Sequence, residues 1–471
     1  MRKMKYIGAF DEQNLDKSRI LQLINAHRST EGVRIHRNLD YYDGSHAILR
    51  RKKKNEAASN NRLVCNHAKD IADTATSYFL AAPITYSTSD KAMDIDRLTD
   101  YFDMADVDET DHDNALDMSR AGVAYEYIYA AQDEARPLIK NLEPQHTFLV
   151  YDDTIEENVL FGVYYYWIMD AATKQEIYKA VVATKHFIHT IDIINDSVAT
   201  QTGQGNLEPH LFNDVPIVEY RNNKDGIGDY EQQISLIDAY NTLMSDRVND
   251  KEQFLEAILV LVGALLGDDE KETGEAAKQI KDLGILELPS GASAEYITRT
   301  FDESSVEVLK KAIKDDIYTF SHVPCLTDEN FVGNSSGVAM EYKLLGLEMI
   351  TKMKERYYTK GLKQRMRLIC NYLGLKNIAL NPAAIIPEFK RGLPKNMLEL
   401  SQTIANLSGA VSQKTLISQL DFVEDPDAEV EAVRQESQEK LKQQQQAFGN
   451  YAEGDPDDQT EPQKDEKELN E

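Results

Sequence analysis

One feature limits what this chain can fold into more than any other. The stretch "GVAMEYKLLGLEMITKMKERYYTKGLKQRMRLICNYLG" reads as a single helix, with Ser336 in place to cap it. From Ser336 to about Leu373 such a helix rises about 55 Å at 1.5 Å per residue, with Gly346 and Gly361 as places to bend. Two more long helices precede it. One is predicted from about Tyr230 to Glu256, with Ile237, Tyr240, Met244 and Val248 on one face. The other opens with a capping box, Ser304-x-x-Glu307, runs through Val306, Leu309, Ile313, Ile317 and Phe320, and stops at Pro324. Between them lies a small unit. It is expected to hold an apolar strand (Ala257–Val262), a charged helix ("DDEKETGEAAKQIKDLG") and two short strands ("ILELPS", "AEYITR"). A compact enzyme core has little use for rods this long. A ring or tube of subunits, whose helices pack between neighbours, uses them naturally.

The remaining segments are more ordinary. The first 120 residues read as mostly helical around "NNRLVCNHAKDIADTATSYFL". From Gly122 to about Tyr220 the period changes to two: Tyr125, Tyr127 and Tyr129 alternate in "AGVAYEYIYAA", and "LFGVYYYWIMD" and "HFIHTIDII" continue the pattern. An antiparallel sheet packed cross-strand accounts for these tyrosines better than stacked nucleobases, because no basic residues accompany them. Near the C-terminus, "KNMLELSQTIANLSGAVSQKTLISQL" predicts a helical hairpin about Ser408-Gly409, and Asp425-Pro426 starts a last helix. The expected fold class is α+β, mainly helical.

Composition excludes several function classes. Three cysteines, Cys65, Cys325 and Cys370, are too few and scattered for a disulfide framework or a zinc site, and suit a reducing compartment. "MRKMKYIGAF" has no apolar core region and reads as lacking a signal peptide, while the longest apolar run, Ala257–Leu266, is half a membrane span. A soluble intracellular protein with no membrane association is expected. A net charge of −28 argues against a protein that grips nucleic acid by its phosphates. Residues 449–471, with nine acids and two lysines, read as a disordered acidic tail after the glutamine run Gln443–Gln446. The long helix runs against that trend: between Gly337 and Gly374 it carries eight basic residues and three acids, a net of +5. Its Lys352, Arg356, Lys360, Lys363 and Arg367 are candidates to pair with an acidic neighbouring subunit.

The short motifs in the chain have plainer accounts than chemistry. GNSSG, Gly333–Gly337, matches the G-x-S-x-G elbow of hydrolases, but no buried strand precedes Ser335 and none of the ten histidines follows it. A triad in that chain order cannot be built. No G-x-x-x-x-G-K-[ST] is present to cradle a nucleotide's phosphates. "DETDHDNALD", Asp108–Asp117, lacks metal-ligand spacing, and an acidic first helical turn explains it better. The basic run Arg50–Lys54 reads as a solvated loop, with nucleic acid or a capsid as the alternatives.

Four blocks in order carry a resemblance. They are "YYDGSHAILRRKKK", "NNRLVCNHAKDIADTATSYFLAAPITYS", "HLFNDVPIVEYRNNKDGIGDYEQQISLIDAYNTLMSDRVNDKEQFLEAILVLVG" and "VPCLTDENFVGNSSGVAMEYKLLGLE". Together they resemble the portal proteins of long-tailed, double-stranded DNA phages over roughly Tyr41–Phe448. One departure is "YFLAAPITY", with Ala81-Ala82 where a glycine is expected before the proline. The resemblance implies a dodecameric ring around a central tunnel at one capsid vertex of the virion, assembled in the host cytoplasm, that passes double-stranded DNA. It implies neither catalysis nor any cofactor or metal. It also divides the chain: residues 1–229 a wing, 230–256 and 302–321 stem helices, and 257–301 a clip. Residues 322–336 would be a tunnel loop, 337–394 a long wing helix and its connection, and 395–448 a crown. The DNA-facing loop would present Thr327, Asp328, Glu329, Asn330, Phe331, Val332, Gly333, Asn334, Ser335 and Ser336, which makes GNSSG a hinge. Asp246 and Asp250 would line the stem. Asp268, Asp269, Glu270, Lys271 and Glu272 would form the clip surface for the large terminase subunit and later a head-tail adaptor. The major capsid and scaffolding proteins are the remaining implied partners.

Overall fold

The computed structural model describes residues 3–53, 59–90, 92–130, 136–169, 171, 174, 176–194, 197–198, 207–254, 258–262, 269–283, 288, 290–297, 303–326, 337–391, 397–420, 423 and 426–452. The chain divides into two compact units, Met1–Leu393 and Pro394–Glu471.

The first unit begins with strand β1 (Met4–Lys5) and helices α1 (Lys17–Ser29) and α2 (Glu31–Tyr42). Asp16 starts α1 by accepting the Arg19 backbone N–H at 3.1 Å, and Asn66 does the same for Lys69, also at 3.1 Å, at the start of α3 (His67–Phe79). Strand β2 (Thr85–Thr88) and helices α4 (Asp96–Met104) and α5 (Val107–Ala121) follow. Gly122 ends α5 with φ +84°, and a Cβ there would lie 2.1 Å from the Gly226 carbonyl oxygen. Only glycine allows the chain to turn into the sheet region at this point.

The period-two stretch forms two sheets instead of the single antiparallel sheet expected from the sequence. Its strands are β3 (Val123–Ala130), β4 (Pro137–Leu142), β5 (Thr147–Tyr151), β6 (Val159–Met169), β7 (Glu176–Ala183), β8 (Phe187–Ile194), β9 (Ser197–Val198), β10 (Leu207–Pro209) and β11 (Ile217–Arg221). The larger sheet has the order β1-β5-β6-β7-β8-β10 with β9 on β8, and β1 joins β5 in parallel. The smaller has the order β11-β3-β4. The split follows from burial, because the first four residues of β3 are buried on both faces. Tyr125 packs with Leu142, Leu149 and Ile217, while Ala124 and Ile128 belong to a separate apolar cluster containing Tyr358, Leu362 and Met366.

Next come α6 (Ile234–Phe254), β12 (Ile258–Val262), α7 (Glu270–Leu283), β13 (Ser293–Ile297), α8 (Glu303–Ser321), α9 (Gly337–Gly374) and β14 (Ile385–Glu388). β12 pairs antiparallel with β13, Ile258 facing Ile297. The core of the strand expected in "ILELPS" lies outside the described residues. β14 pairs with β2, a two-stranded element in segments that sequence periodicity had left as helix and connection. In the second unit, α10 (Met397–Leu407) turns at Gly409 into α11 (Gln413–Ile417), an arm shorter than the expected hairpin. α12 (Pro426–Ala452) then runs through Gln443–Gln446 and past Gly449, where the tail was expected to begin.

α9 is the beam of the first unit. Leu344 and Leu347 near its start join a cluster with Ile71, Ile237, Tyr240, Ile317 and Tyr318 from α3, α6 and α8. Tyr358, Leu362, Met366, Ile369 and Leu373 join a second cluster with Phe79, Leu98, Phe102, Met118 and Ile128. Gly361 was expected to be a place to bend; it is a place of close approach, since a Cβ would lie 2.4 Å from the Tyr220 ring on β11.

Buried charge fixes α9 against the second cluster. Arg365, fully buried, donates from Nε to Glu126 Oε1 at 2.9 Å and from Nη2 to Glu126 Oε2 at 2.5 Å and Asp111 Oδ1 at 2.6 Å. Tyr220 donates to Glu126 at 2.8 Å, Asn114 to Glu126 at 3.0 Å, and Tyr358 to Asp111 at 2.9 Å. Burial works against the guanidinium charge, and the Asp111 and Glu126 carboxylates offset it, holding the Arg365 pKa well above its ordinary value. Replacing Arg365 with methionine leaves two buried acids without a counter-charge. Chemical denaturation followed by circular dichroism should show a loss of about 3–5 kcal/mol.

Acid sensitivity has a separate source. His27 on α1 stacks on Phe148 with ring centroids 4.7 Å apart and sits 3.1 Å from the Tyr165 hydroxyl. Burial lowers its pKa to about 4 from 6.5, against the opposing pull of Glu31. Because the unfolded imidazole takes up its proton first, stability falls as pH drops from 6.5 toward 4, by at most about 3 kcal/mol from this group. His27→Gln should flatten that part of a stability–pH curve measured by urea denaturation.

Candidate functional site

α6 and α8 pack antiparallel. At one end Arg247 reaches Glu307 at 2.7 Å and Glu303 at 3.6 Å, and Lys251 reaches Glu303 at 2.8 Å. At the other, His67 meets the rings of Tyr240 and Tyr318 edge-on, with centroids 4.7 and 5.6 Å away. α8 begins at Glu303, one residue ahead of the Ser304 expected to cap it. Glu307 accepts from Lys310 and Arg247, whose hydrogen bonds lower its pKa.

The polar side of α6 is dressed by an extended strap. The backbone N–H groups of Asn61, Leu63 and Cys65 donate to Asn249 Oδ1 at 2.7 Å, Ser245 Oγ at 2.9 Å and Asn241 Oδ1 at 2.8 Å. The strap advances two residues for each helical turn. Arg51, at its start, bonds Asp246 at 2.9 Å. The basic run is thereby divided: Arg51 ties the strap to α6, Arg50 is exposed beside Asp40, and Lys54 lies outside the described residues. The Asn-x-x-x-Ser-x-x-x-Asn spacing was the signal that sequence reading passed over.

On the open face of α6, Ser235, Ala239, Thr242 and Asp250 are exposed and Asp246 is partly so. At 100° per residue they fall within about 80° of arc. The residues α6 itself contributes to this face are small, polar or acidic, and Arg51 of the strap bonds Asp246 at its edge. The face contains both stem residues singled out from the sequence.

α8 and α9 present other faces. Leu309 and Phe320, expected to face a core, are 50% and 60% exposed, while Ile317 is fully buried. On α9, Tyr342, Leu345, Met349 and Met353 are exposed at successive turns. Lys352, Arg356, Lys360, Lys363 and Arg367 are exposed as well. The two sets fall within about 100° of arc on the side opposite the buried residues. One face of α9 is therefore apolar in its first half and cationic in its second. The two remaining cations in that half are buried: Lys354 bonds Asp229, and Arg365 is held as described.

The small unit and the loop are described in part. Asp269 caps α7, its Oδ1 accepting the N–H groups of Lys271 at 2.9 Å and Glu272 at 2.8 Å. Glu270, Lys271 and Glu272 are exposed around that cap, and Asp268 lies outside the described residues. So does the whole proposed DNA-facing loop, residues 327–336. Its leading end is in view: His322 turns the chain at φ +59°, and Leu326 is 55% exposed. In "DETDHDNALD", Asp108 and Glu109 occupy the first turn of α5. Asp111 is committed to Arg365, and Asp117 to Arg120 at 2.8 Å and Asn141 at 3.1 Å. Guanidinium groups thus take up carboxylates a metal would need.

Comparison with known proteins settles the assignment. The profile of the family "Phage portal protein, SPP1 Gp6-like" matches residues 21–443. The chain belongs to this portal family. A portal protein of Bacillus phage SPP1 is 22% identical over 451 residues, covering 89% of this chain and 86% of that one. A portal protein of Clostridium phage phiCD119 is 20% identical over 385 residues, covering 78% and 83%. The solved structure "Neck of native GTA particle computed with C12 symmetry" contains a chain with TM-score 0.45 and 10% identity, covering 76% of this chain and 89% of that one. Portal proteins are structural components of the phage head-tail connection, and the mainly helical α+β architecture agrees with that membership.

The two carboxylates on the open face of α6 can be probed without unfolding the portal chain. Asp246→Ala should cost at most about 1 kcal/mol, since its partner Arg51 keeps other bonds. Asp250→Ala should change stability by less than about 0.5 kcal/mol. Thermal melts of the two variants check both values.

Proposed function

We propose that copies of this chain close into a ring, a dodecamer in the virion, whose tunnel conducts double-stranded DNA during packaging and ejection. The observation that carries this reading is the exposed face of α9. An apolar row of Tyr342, Leu345, Met349 and Met353 on a single chain is a surface that calls for a partner. Phe320 and Leu309 on α8 add to it. A surface that meets a different surface on the next copy generates a closed ring when the rotation closes.

The small and acidic face of α6 suits the lining of a conduit. Symmetry repeats each lining residue around a ring, so a lysine would become a circle of positive charge and hold phosphates through counterion release. Ser235, Ala239, Thr242, Asp246 and Asp250 offer no such grip. Residues 327–336 contribute Asp328 and Glu329 to the same end as the tunnel loop, with Gly333–Gly337 as its hinge. The unit around α7 serves as the docking surface for the large terminase subunit and later a head-tail adaptor. Residues 395–448 face the capsid interior, and the chain itself performs no catalysis. Its place is the portal vertex of the virion, reached by assembly in the host cytoplasm with capsid and scaffolding proteins.

End-on negative-stain micrographs and native mass spectrometry of the purified full chain test the ring. Rings are expected for the wild type and subunits for Met349→Asp combined with Phe320→Asp, with unchanged circular dichroism. A wild-type monomer at micromolar concentration overturns the reading. Within intact rings, Asp328→Lys with Glu329→Lys should slow packaging measured at low salt. An unchanged packaging velocity removes the charge-repulsion argument for the loop.

A further inference from the structure

The cationic half of α9 has a counterpart elsewhere on the same molecule. Asp96, Asp100 and Asp103 on α4, and Asp108, Glu109 and Asp113 on α5, are all exposed. None of the six forms an ion pair among the described residues. Met104, 61% exposed, stands among them. Arg97 is the one basic residue between Asp94 and Asp113, so the segment is strongly anionic. On α9, Lys352 has Glu348 and Arg367 has Asp214, but Arg356, Lys360 and Lys363 form no ion pair among the described residues.

A single chain cannot bring these two faces together. Leu98 and Phe102 of α4 share a buried cluster with Leu362, Met366 and Ile369, on the side of α9 away from its cations. The core thus separates the acidic surface from the basic one. A cleft of about 1000 Å³ beside Lys360, Lys363 and Arg367 gives room for side chains from outside.

We propose that the α4–α5 acidic face of one copy docks on the cationic face of α9 of the next. This deepens the ring reading and rests on it: it names which two surfaces meet. The occupant is a second copy, not DNA, because an acidic surface of comparable extent stands unneutralised on every copy. Two dissimilar, opposite faces make the contact head-to-tail, the type that forms rings. The charges also fix the register and speed the encounter.

Charge reversal tests this in the full-length chain. R356E/K360E/K363E should raise the concentration needed for assembly by at least about tenfold, as should D100K/D103K/E109K, because like charges then face each other. All six substitutions in one chain restore opposite signs and should restore self-assembly. Circular dichroism and thermal melting check that each variant remains folded. In wild-type rings mixed from isotopically light and heavy subunits, carbodiimide should link Lys360 or Lys363 to Asp100, Asp103 or Glu109 between subunits. The proposal is overturned if R356E/K360E/K363E assembles as the wild type does, or if the six-fold variant is as defective as either triple. Rings that persist in that triple but lose affinity for a 30-base-pair duplex would assign the face to DNA and overturn it as well. A wild type that forms no rings is a different result, and removes the ring reading first.

Discussion

The buried guanidinium of Arg365 is the interaction on which the architecture depends. It holds α5, through Asp111, and β3, through Glu126, to α9 at a point with no solvent to screen either carboxylate. Tyr220 and Tyr358 bring β11 and a neighbouring turn of α9 into the same network. Burial and the adjacent acids push both phenols well above their ordinary pKa, so they stay protonated as donors. A group of this kind adds little net stability over an apolar replacement of the same shape, yet it is costly to break from one side. It specifies which turn of a long, otherwise slippery helix meets the sheet. Lys354 and Asp229 repeat the device three turns earlier, with Ser119 and Asn222 also bonding Asp229.

Pinning one side of α9 decides what the other side can be. Two apolar clusters and three buried ion pairs consume the face that carries Leu344, Lys354, Tyr358, Arg365 and Leu373. The opposite face keeps its described residues from Tyr342 to Arg367 toward solvent. A fold that stood alone would have no reason to place Tyr342, Met349 and Leu345 there. The same logic separates the faces of α6: the strap covers Asn241, Ser245 and Asn249, Tyr240 packs toward α8, and a third face carries Ser235, Ala239, Thr242, Asp246 and Asp250.

Much of this was legible in the sequence where a single period governed a long stretch. The three long helices and the alternating tyrosines came from patterns of that kind, and the family from the resemblance of four ordered blocks. Tertiary pairing was not legible. Asp111 and Asp117 looked like members of an acidic helix start because nothing local says that Arg365 and Arg120 will claim them. Glu307 matched a capping box by spacing, but Arg247 on another helix competes for it, and the helix starts a turn position early. Leu309 and Phe320 continued the apolar pattern of α8, yet in the single chain they are half-exposed or more. Gly361 looked like a hinge because the Tyr220 ring that requires it lies well over a hundred residues away. For the loop 327–336 and for Asp268, the sequence remains the whole basis of the reading.

The charge of the chain and its assembly pose one electrostatic problem. Subunits that each carry −28 repel one another at long range, more strongly as salt falls. Uniformly spread acids would therefore oppose ring closure. The sequence instead gathers a net +5 on α9, whose open face carries Arg356, Lys360 and Lys363, and leaves Asp96, Asp100, Asp103, Asp108, Glu109 and Asp113 of α4 and α5 without ion pairs among the described residues on another surface. Segregating the signs turns a repulsive average into attraction at one orientation. In the proposed ring, the bulk of the negative charge is then left for the tunnel wall, where a passing polyanion must not be held, and the cationic half of α9 lies between subunits.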